Sequence, residues 1–263
     1  MCHPAVGGGV VWFLCFEAQM YYREKKVIFV HVPKTAGQSV EHFFLRDAGL
    51  SWEDRAAFVM GPNEDPSKGP IRLAHLLARD YVGCGHLSQR EFDESFKFAF
   101  VRHPLARALS TYKYERAFLR MSFFEYVNVF LRDTLAGDDT WFHRPQVDFV
   151  NGADGDPLVD FVGRFENLQG DFAKVCETLG MPVEDLPPVN VSLVSDHGKT
   201  RMKNLHDGFR NRVRVVKRRL RGQPIPVVHP VPSFEQAAAH APTMQALRAL
   251  YGADFEQFGY DGA

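Results

Sequence analysis

The most regular feature of the hydrophobic pattern is a short apolar run that leads into a polar turn and then into a helical repeat. Residues 27–30 are all β-branched or aromatic, which is typical of a strand buried on both faces of a parallel sheet. Pro33 ends the run, and beyond Gly37 apolar residues return at helical spacing as far as a glycine stop at Gly49. The pattern predicts a strand, a turn and a helix in direct succession.

The same order of strand, polar turn and helix recurs over residues 98–114. Arg102 follows the apolar strand directly. A third strand, over residues 159–165, precedes a helix whose apolar stripe ends at Gly180. Strands that alternate with helices form a mainly parallel sheet, so the pattern predicts an α/β fold.

The rest of the chain predicts connecting elements. Residues 51–69 are polar and rich in proline and acidic residues, which indicates a surface loop, and residues 71–78 suggest a short helix. Residues 122–137 have capping-box spacing at their start and predict a helix, and residues 243–260 predict a closing helix. The predicted core stripe of the 122–137 helix consists of Phe124, Val127, Leu131 and Leu135.

The first turn has the chemistry of an anion site. It leads into a helix N-terminus, where free backbone N–H groups and a partial positive charge attract an oxyanion. The Walker A pattern is absent, because the lysine of the turn precedes its glycine, and the dinucleotide fingerprint is absent too. An ordinary strand-to-helix turn with a solvated lysine is the alternative. The predicted anion-binding residues are Lys34, Thr35, Ala36, Gly37, Gln38 and Ser39.

The second turn carries a residue suited to phosphate. Arg102 stands at the carboxyl end of its strand, which is the edge where open α/β sheets bind ligands, and a guanidinium matches a phosphate in shape. Ser110 and Tyr112 add hydroxyl donors. Ordinary exposed cations at Arg102 and Arg107 are the alternative. Two anion-type turns after two strands favour anion binding over that alternative.

These two stretches resemble a known family. HVPKTAGQSVEHFF, at residues 31–44, is similar to the 5′-phosphosulfate loop of sulfotransferases that use 3′-phosphoadenosine 5′-phosphosulfate (PAPS). FVRHPLARALSTY, at residues 100–112, is similar to their 3′-phosphate segment. The resemblance is closest to the carbohydrate branch that contains the heparan sulfate 2-O-sulfotransferases. It continues through residues 143–149, 159–168, 186–192 and 250–260.

The resemblance implies a fold, a donor and a set of roles. The implied fold is a P-loop-like three-layer sandwich with a mainly parallel central sheet. The implied donor is PAPS, which leaves 3′-phosphoadenosine 5′-phosphate (PAP) as the product. The implied acceptor is a hydroxyl group of a carbohydrate. Lys34 stabilises the leaving phosphate, and Arg102 and Ser110 hold the 3′-phosphate. His86, in a Gly-His pair, is the implied catalytic base, although a lone histidine is more often structural.

Two other histidines are candidates for the base, and one residue of the first turn departs from the family pattern. His31 and His143 are the reserve candidates for the base, and a polar turn at residues 143–146 is a candidate acceptor contact or a structural turn. Gln38 stands where the family usually has threonine, so a hydroxyl contact to the 5′-phosphate is lost while the backbone N–H remains.

Composition and charge set limits on partners. The 263 residues are 45% hydrophobic with a formal net charge of −1, which fits a globular chain that is not globally basic and indicates no nucleic-acid partner. A basic helical insertion is predicted at about 199–232, in which Arg214 and Arg218 are candidate contacts to an anionic acceptor. Its alternatives are a solvated face and a lid over the 3′-phosphate.

The ends of the chain and the cysteines complete the prediction. Four cysteines lack metal-ligand spacing, so we expect thiols and no metal. Residues 1–19 contain an apolar run that is too short to cross a bilayer and has no basic region before it. We therefore expect no membrane span and a cytoplasmic location. The segment is predicted to be an N-terminal extension upstream of Met20, and a packed edge segment is the alternative. Residues 20–263 are predicted to form a single sulfotransferase domain.

Two other functions remain open at the level of sequence. A nucleotide or small-molecule kinase of similar topology would require ATP with magnesium and a partner acid, and the sequence shows neither a Walker A loop nor a convincing acid. A glycan-binding protein that keeps the fold without activity would not need to keep Lys34, His86, Arg102 and Ser110 together.

Overall fold

The computed structural model describes residues 21–54, 63–137, 140–186 and 228–260. Its central sheet has four strands in the order β1 to β4. The second, third and fourth strands pair in parallel, and the two-residue first strand adds an antiparallel edge. The α/β prediction with a mainly parallel sheet is therefore confirmed. The strands are β1 (Tyr21–Tyr22), β2 (Val27–Val30), β3 (Phe96–Val101) and β4 (Phe161–Arg164).

Helices flank the sheet, and short 3₁₀ turns connect them. The helices are α1 (Gly37–Asp47), α2 (Asp80–Gly83), α3 (Gln89–Asp93), α4 (Pro104–Tyr114), α5 (Phe123–Glu125), α6 (Arg132–Leu135), α7 (Val147–Val150), α8 (Leu168–Thr178), α9 (Phe234–Ala238) and α10 (Ala241–Gln257). The 3₁₀ turns are Arg23–Lys25, Pro66–Lys68, Leu73–His75, Ala117–Leu119 and Phe165–Asn167.

The buried strands divide the core into two layers of side chains. On β3, Phe98 and Phe100 pack with α1 and α8 on one face of the sheet. Ala99 and Val101 pack with α4 and α10 on the other face. Because successive side chains of a strand point to opposite faces, a continuous apolar strand must be covered on both sides. The result is a sheet between two helical layers.

A π-helical segment changes the packing of the helix predicted over residues 122–137. Ser122 forms the expected capping box, and the helix runs from α5 through the π-helical Tyr126–Leu131 into α6. The wider π turn shifts the register of the residues before it. Phe123 is therefore buried, whereas Phe124 is 45% exposed, so its predicted place in the core was wrong. Val127 and Leu131 are buried as predicted.

The segment at residues 71–78 is also less helical than predicted. It contains only the 3₁₀ turn Leu73–His75, after which Leu76 is extended. The backbone N–H of Ala78 donates to the carbonyl of Phe149, which draws the chain against α7 instead of continuing a helix. The segment thus forms a buried connection.

Several predictions fall on parts of the chain outside the described residues. They are the 1–19 extension and the predicted basic helix with Arg214 and Arg218. Among the residues that the structure does describe, no helix is long and apolar enough to cross a membrane. Cys84 and Cys176 are free thiols, and Cys176 is buried.

Candidate active site

The two predicted anion turns meet at one edge of the sheet. Because β2 and β3 are parallel neighbours, their carboxyl ends lie side by side. The Nη1 atom of Arg102, just after β3, donates to the carbonyl of Lys34, in the turn after β2, over 3.4 Å. Parallel pairing therefore brings together two segments far apart in the sequence.

The turn after β2 has an unusual backbone. Lys34 and Ala36 have φ values of 71° and 70°, in the left-handed region, and Thr35 between them does not. Alternation of this kind turns successive N–H groups toward one side and forms an anion-binding concavity. The buried hydroxyl of Thr35 donates to the carbonyl of Val32 over 2.8 Å, which fixes the turn. Ala36 has no side-chain oxygen to cap α1, so a ligand can take that place.

A buried histidine explains the glycine that begins α1. A Cβ atom at Gly37 would lie 1.9 Å from Nε2 of His31, so only glycine fits. On its other side, the His31 ring places Nδ1 2.6 Å from Oε1 of Glu41, and both side chains are buried. The ring is thus enclosed between the turn and α1. His31, a reserve candidate for the base, has a supporting position here.

Arg102 is held at both its backbone and its side chain. The amide of Gln146 accepts from the backbone N–H of Arg102 over 2.9 Å and donates to its carbonyl over 2.8 Å. The guanidinium carbon lies 3.9 Å from the ring centroid of Phe165. Its Nε is buried with no hydrogen-bond partner among the described residues. A buried donor without a partner is costly, and a ligand oxygen would satisfy it.

Lys34 and Arg102 form a pair of neighbouring cations, and the Glu166 carboxylate interacts with Arg102 without forming an ion pair. Nζ of Lys34 lies 4.0 Å from the ring centroid of Tyr114. Burial lowers the pKa of Lys34, and the charge of Arg102 lowers it further. Within the described segments, neither side chain forms an ion pair with a carboxylate. Two partly buried cations in this state favour an anionic ligand.

Arg107 fixes the backbone of the first turn through hydrogen bonds, a role that the sequence did not predict. It is buried on α4, and its Nε donates to the carbonyl of Pro33 over 3.1 Å. Its Nη1 and Nη2 donate to the carbonyls of Arg144 and Phe142 over 2.9 and 3.2 Å. The side chain therefore ties the first turn to the 142–144 segment. All three partners are backbone carbonyls distant in sequence, so no local motif indicates this contact.

Ser110 and Gln38 lie on the two helices that follow the turns. Ser110 is half-buried on α4, the helix that begins just after Arg102. Gln38 is half-buried in the first turn of α1, and Ser39 beside it is buried, with its backbone N–H bonded to the carbonyl of Ala36 over 2.9 Å. The predicted donor-binding residues thus lie on the two turns and on the two helices that follow them.

His86 lies in a turn after α2, and its tautomer follows from its contact. Its Nε2 is 2.7 Å from the carbonyl of Lys68, and because a carbonyl only accepts, Nε2 carries the proton. The neutral ring then has its lone pair on Nδ1. Burial, followed by the charge of Lys68, lowers the pKa of His86 to about 4. The ring is therefore neutral at pH 7 and can accept a proton.

His143 occupies a packed position. Its ring is 7% exposed, and Nε2 lies 3.0 Å from Oε1 of Glu115. The rings of Tyr126 and Phe130 meet it edge to face. These contacts give His143 a supporting place behind the 143–146 turn, where Gln146 is also fully buried.

A cavity of about 470 Å³ opens beside the first turn. Its lining includes His75, Arg79, Asp80, Trp141 and Arg144. His75 donates from Nδ1 to the carbonyl of His31 over 2.9 Å, and this hydrogen bond joins the cavity wall to the end of the β2 segment. No sequence motif pointed to Trp141, because it lies between predicted elements.

Comparison with known proteins agrees with this geometry. A sequence profile described as the sulfotransferase family matches residues 19–261. An uncharacterized protein of Archaeoglobus fulgidus is 32% identical over 118 residues, which cover 41% of this chain and 82% of that protein. No solved structure matches the chain at a significant level. Because the profile spans nearly the whole chain, the protein belongs to the sulfotransferase family, and this membership implies a PAPS-dependent sulfotransferase.

Proposed function

We propose that this enzyme transfers the sulfuryl group of PAPS to a hydroxyl of a carbohydrate by in-line displacement. The observation that carries the proposal is the meeting of Lys34 and Arg102 at one edge of the sheet, where neither forms an ion pair with a carboxylate of the described segments and Glu166 interacts with Arg102 only at longer range. A donor with a 5′-phosphosulfate and a 3′-phosphate presents two anionic groups. Lys34 supplies a positive charge for the 5′-phosphosulfate, and Arg102 supplies one for the 3′-phosphate.

The donor's two ends are assigned to the two turns. The 5′-phosphosulfate lies against the backbone of residues 34–39, where the left-handed residues and the start of α1 offer N–H groups. Arg102 binds the 3′-phosphate, and Ser110 adds a hydroxyl from α4. The unpaired Nε of Arg102 gains an acceptor in this arrangement.

The chemistry divides between Lys34 and His86. The bond between sulfur and the bridging 5′-phosphate oxygen breaks as a bond from sulfur to the acceptor oxygen forms. Lys34 stabilises the negative charge that grows on the leaving phosphate, and positioned charge of this kind is a major contribution to group transfer. Nδ1 of His86 takes the hydroxyl proton, because Nε2 is already committed to the carbonyl of Lys68.

The carbohydrate acceptor rests on the motif likeness and on the cavity beside the donor turn. His86 is bonded to Lys68, and the neighbouring Pro66 and Gly69 line that cavity. His86 and the donor turn thus each reach the cavity through one neighbour, His86 through Lys68 and the end of the β2 segment through His75. A hydroxyl group held in the cavity is proposed to react between them.

The donor assignment is tested by thermal unfolding with PAP or with ATP and magnesium. We expect PAP to stabilise the protein without magnesium, by about 2.7 kcal/mol at a concentration a hundred times its Kd. Arg102→Ala should weaken PAP binding by about 1.5–3 kcal/mol, because a charged hydrogen-bond donor is lost. Arg132→Ala is the matched control, since Arg132 is exposed and paired with Asp133.

Two results would favour the alternative functions. Stronger binding of ATP with magnesium than of PAP would support a kinase. Binding of PAP by a protein that transfers no sulfate from PAPS to any carbohydrate hydroxyl would support a glycan-binding protein that has lost activity.

A further inference from the structure

The cavity beside the first turn combines an aromatic surface with balanced charge. Trp141 is half-buried in its wall, two guanidinium groups come from Arg79 and Arg144, and two carboxylates come from Glu64 and Asp80. We infer that this cavity binds an uncharged pyranose ring of the acceptor and discriminates against an anionic sugar. The inference rests on the proposed sulfuryl transfer and specifies its substrate class.

The aromatic side chains connect the cavity to the reacting groups. The indole of Trp141 packs nearly parallel to the imidazole of His75, with ring centroids 5.4 Å apart, and contacts Phe142 on its edge. The ring centroids of Phe142 and Tyr114 are 5.6 Å apart, and Nζ of Lys34 lies 4.0 Å from the centroid of the Tyr114 ring. A sugar ring presents its C–H groups to such a surface and its hydroxyls to the rim. This series of ring contacts connects the proposed pyranose surface at Trp141 to the side chain of Lys34.

The cavity holds carboxylates and guanidinium groups near one another, without an ion pair between them in the described segments. Asp80 interacts electrostatically with both Arg79 and Arg144, and Asp148 interacts with the same two arginines. Burial lowers the pKa of His75 well below its ordinary value, so this lining residue adds no positive charge at pH 7. A sugar carboxylate or sulfate in the cavity would meet the carboxylates of Asp80 and Glu64 as well as the two arginines, so it would lose hydration without a net electrostatic gain.

The polar groups suit hydroxyls, which both donate and accept. Carboxylate oxygens of Asp80 and Glu64 accept, and guanidinium groups donate. Arg144 donates from Nη2 to Thr140 over 3.1 Å, while its Nε is buried without a partner among the described residues. The rim is rigid on one side, because the amide of Asn63 donates to the carbonyls of Asp65, Gly69 and Pro70. A preformed rim limits the entropy lost on binding.

The inference is tested by saturation-transfer NMR on the full chain with PAP bound. The probes are the methyl pyranosides of glucose, galactose and mannose and the corresponding methyl uronides, which differ only by a carboxylate at C6. We expect signals from at least one neutral pyranoside and weaker signals from its uronide. Trp141→Ala should abolish the neutral signal. Trp52→Ala is the matched control, because Trp52 stacks on His42 and packs on the opposite side of the sheet.

Several outcomes would overturn the inference while leaving the donor assignment intact. They are a stronger signal from a uronide than from its neutral partner, no signal from any neutral pyranoside, and an unchanged signal in Trp141→Ala. In each case the thermal shift with PAP, measured on the same samples, reports on the donor site independently. Loss of that shift in the wild-type protein would instead contradict the proposed function itself.

Discussion

Lys34 is proposed to act as a cation and His86 as a neutral base, yet burial lowers the pKa of both side chains. For Lys34, a lowered pKa reflects an ammonium group that lies near Arg102 in a partly dry site. A phosphate there would relieve the repulsion, so the ammonium contributes most when charge builds on the leaving group. For His86, a lowered pKa keeps the imidazole neutral at pH 7 and also makes it a weaker base than an ordinary histidine.

The role of His86 predicts a separation between binding and transfer. His86→Ala should leave the Kd for PAP nearly unchanged, because the ring contacts the Lys68 carbonyl and not the anion turns. Transfer should fall about a hundredfold to ten-thousandfold, as expected for loss of a positioned base. Isothermal titration and initial rates measure the two quantities. His42→Ala is the control, since His42 lies on α1 against Trp52. Normal turnover in His86→Ala would assign the base elsewhere.

The lowered pKa of His86 predicts how the transfer rate and the stability change with pH. Because the pKa of His86 in the folded protein is about 4, the acidic limb of the rate profile should fall near pH 4, well below the ordinary histidine value. The unfolded chain takes up the proton nearer pH 6.5. The contribution of His86 to stability is therefore present above pH 6.5 and is lost as the pH falls through 4. A limb centred near pH 6.5 would point to another base.

At the scale of elements, the start of α1 depends on the fit between one glycine and one histidine. Gly37→Ala places a methyl group against the enclosed His31 ring. We expect a loss of about 1–3 kcal/mol in the free energy of unfolding, as for overpacked cores, together with weaker PAP binding. Urea denaturation and PAP titration measure these changes.

Two further variants test the cause of that loss. The double variant Gly37→Ala with His31→Ala removes the ring that the methyl group meets, so it should recover PAP binding in part. Gly252→Ala on α10 is the control, since a Cβ atom there meets no neighbour within 4 Å and costs little. Equal effects of Gly37→Ala and Gly252→Ala would contradict the packing explanation.

At the scale of the whole molecule, the C-terminal helix holds the second turn through a relay of buried hydrogen bonds. Asp254, fully buried on α10, accepts from the backbone N–H of Val147 over 2.9 Å and from the amide of Gln146 over 3.3 Å. Gln146 in turn bonds both backbone groups of Arg102. Helix α10 therefore positions Arg102, a residue of the proposed donor site.

This relay predicts a coupled loss of stability and binding. Asp254→Ala leaves two buried donors without an acceptor, at about 1–3 kcal/mol for each, and should also weaken PAP binding by loosening Arg102. Asp254→Asn keeps one carbonyl oxygen for Val147 and should lose less. Urea unfolding and PAP titration of the two variants measure both effects. If Asp254→Ala lowered stability while PAP affinity stayed normal, the relay would have no influence on the donor site.

Local patterns determined much of this protein. The apolar runs of β2 and β3, the polar turns after them and the positions of Lys34 and Arg102 follow from neighbouring residues, because a strand buried on both faces and a helix start each have a short-range signature. The predictions that were wrong, the burial of Phe124 and a helix at residues 71–78, failed where a π turn or a distant backbone partner changed the local geometry.

Only the tertiary structure decided how those parts form a site. Arg107 reaches carbonyls on two separate segments, and Asp254 acts on Arg102 through Gln146. The cavity joins Trp141 to Asn63 and Glu64, which lie in a separate segment far earlier in the sequence. Contacts of this kind have no period or spacing in the sequence, because hydrogen bonds and ring packing depend on distance in space, and parallel strand pairing brings distant segments together.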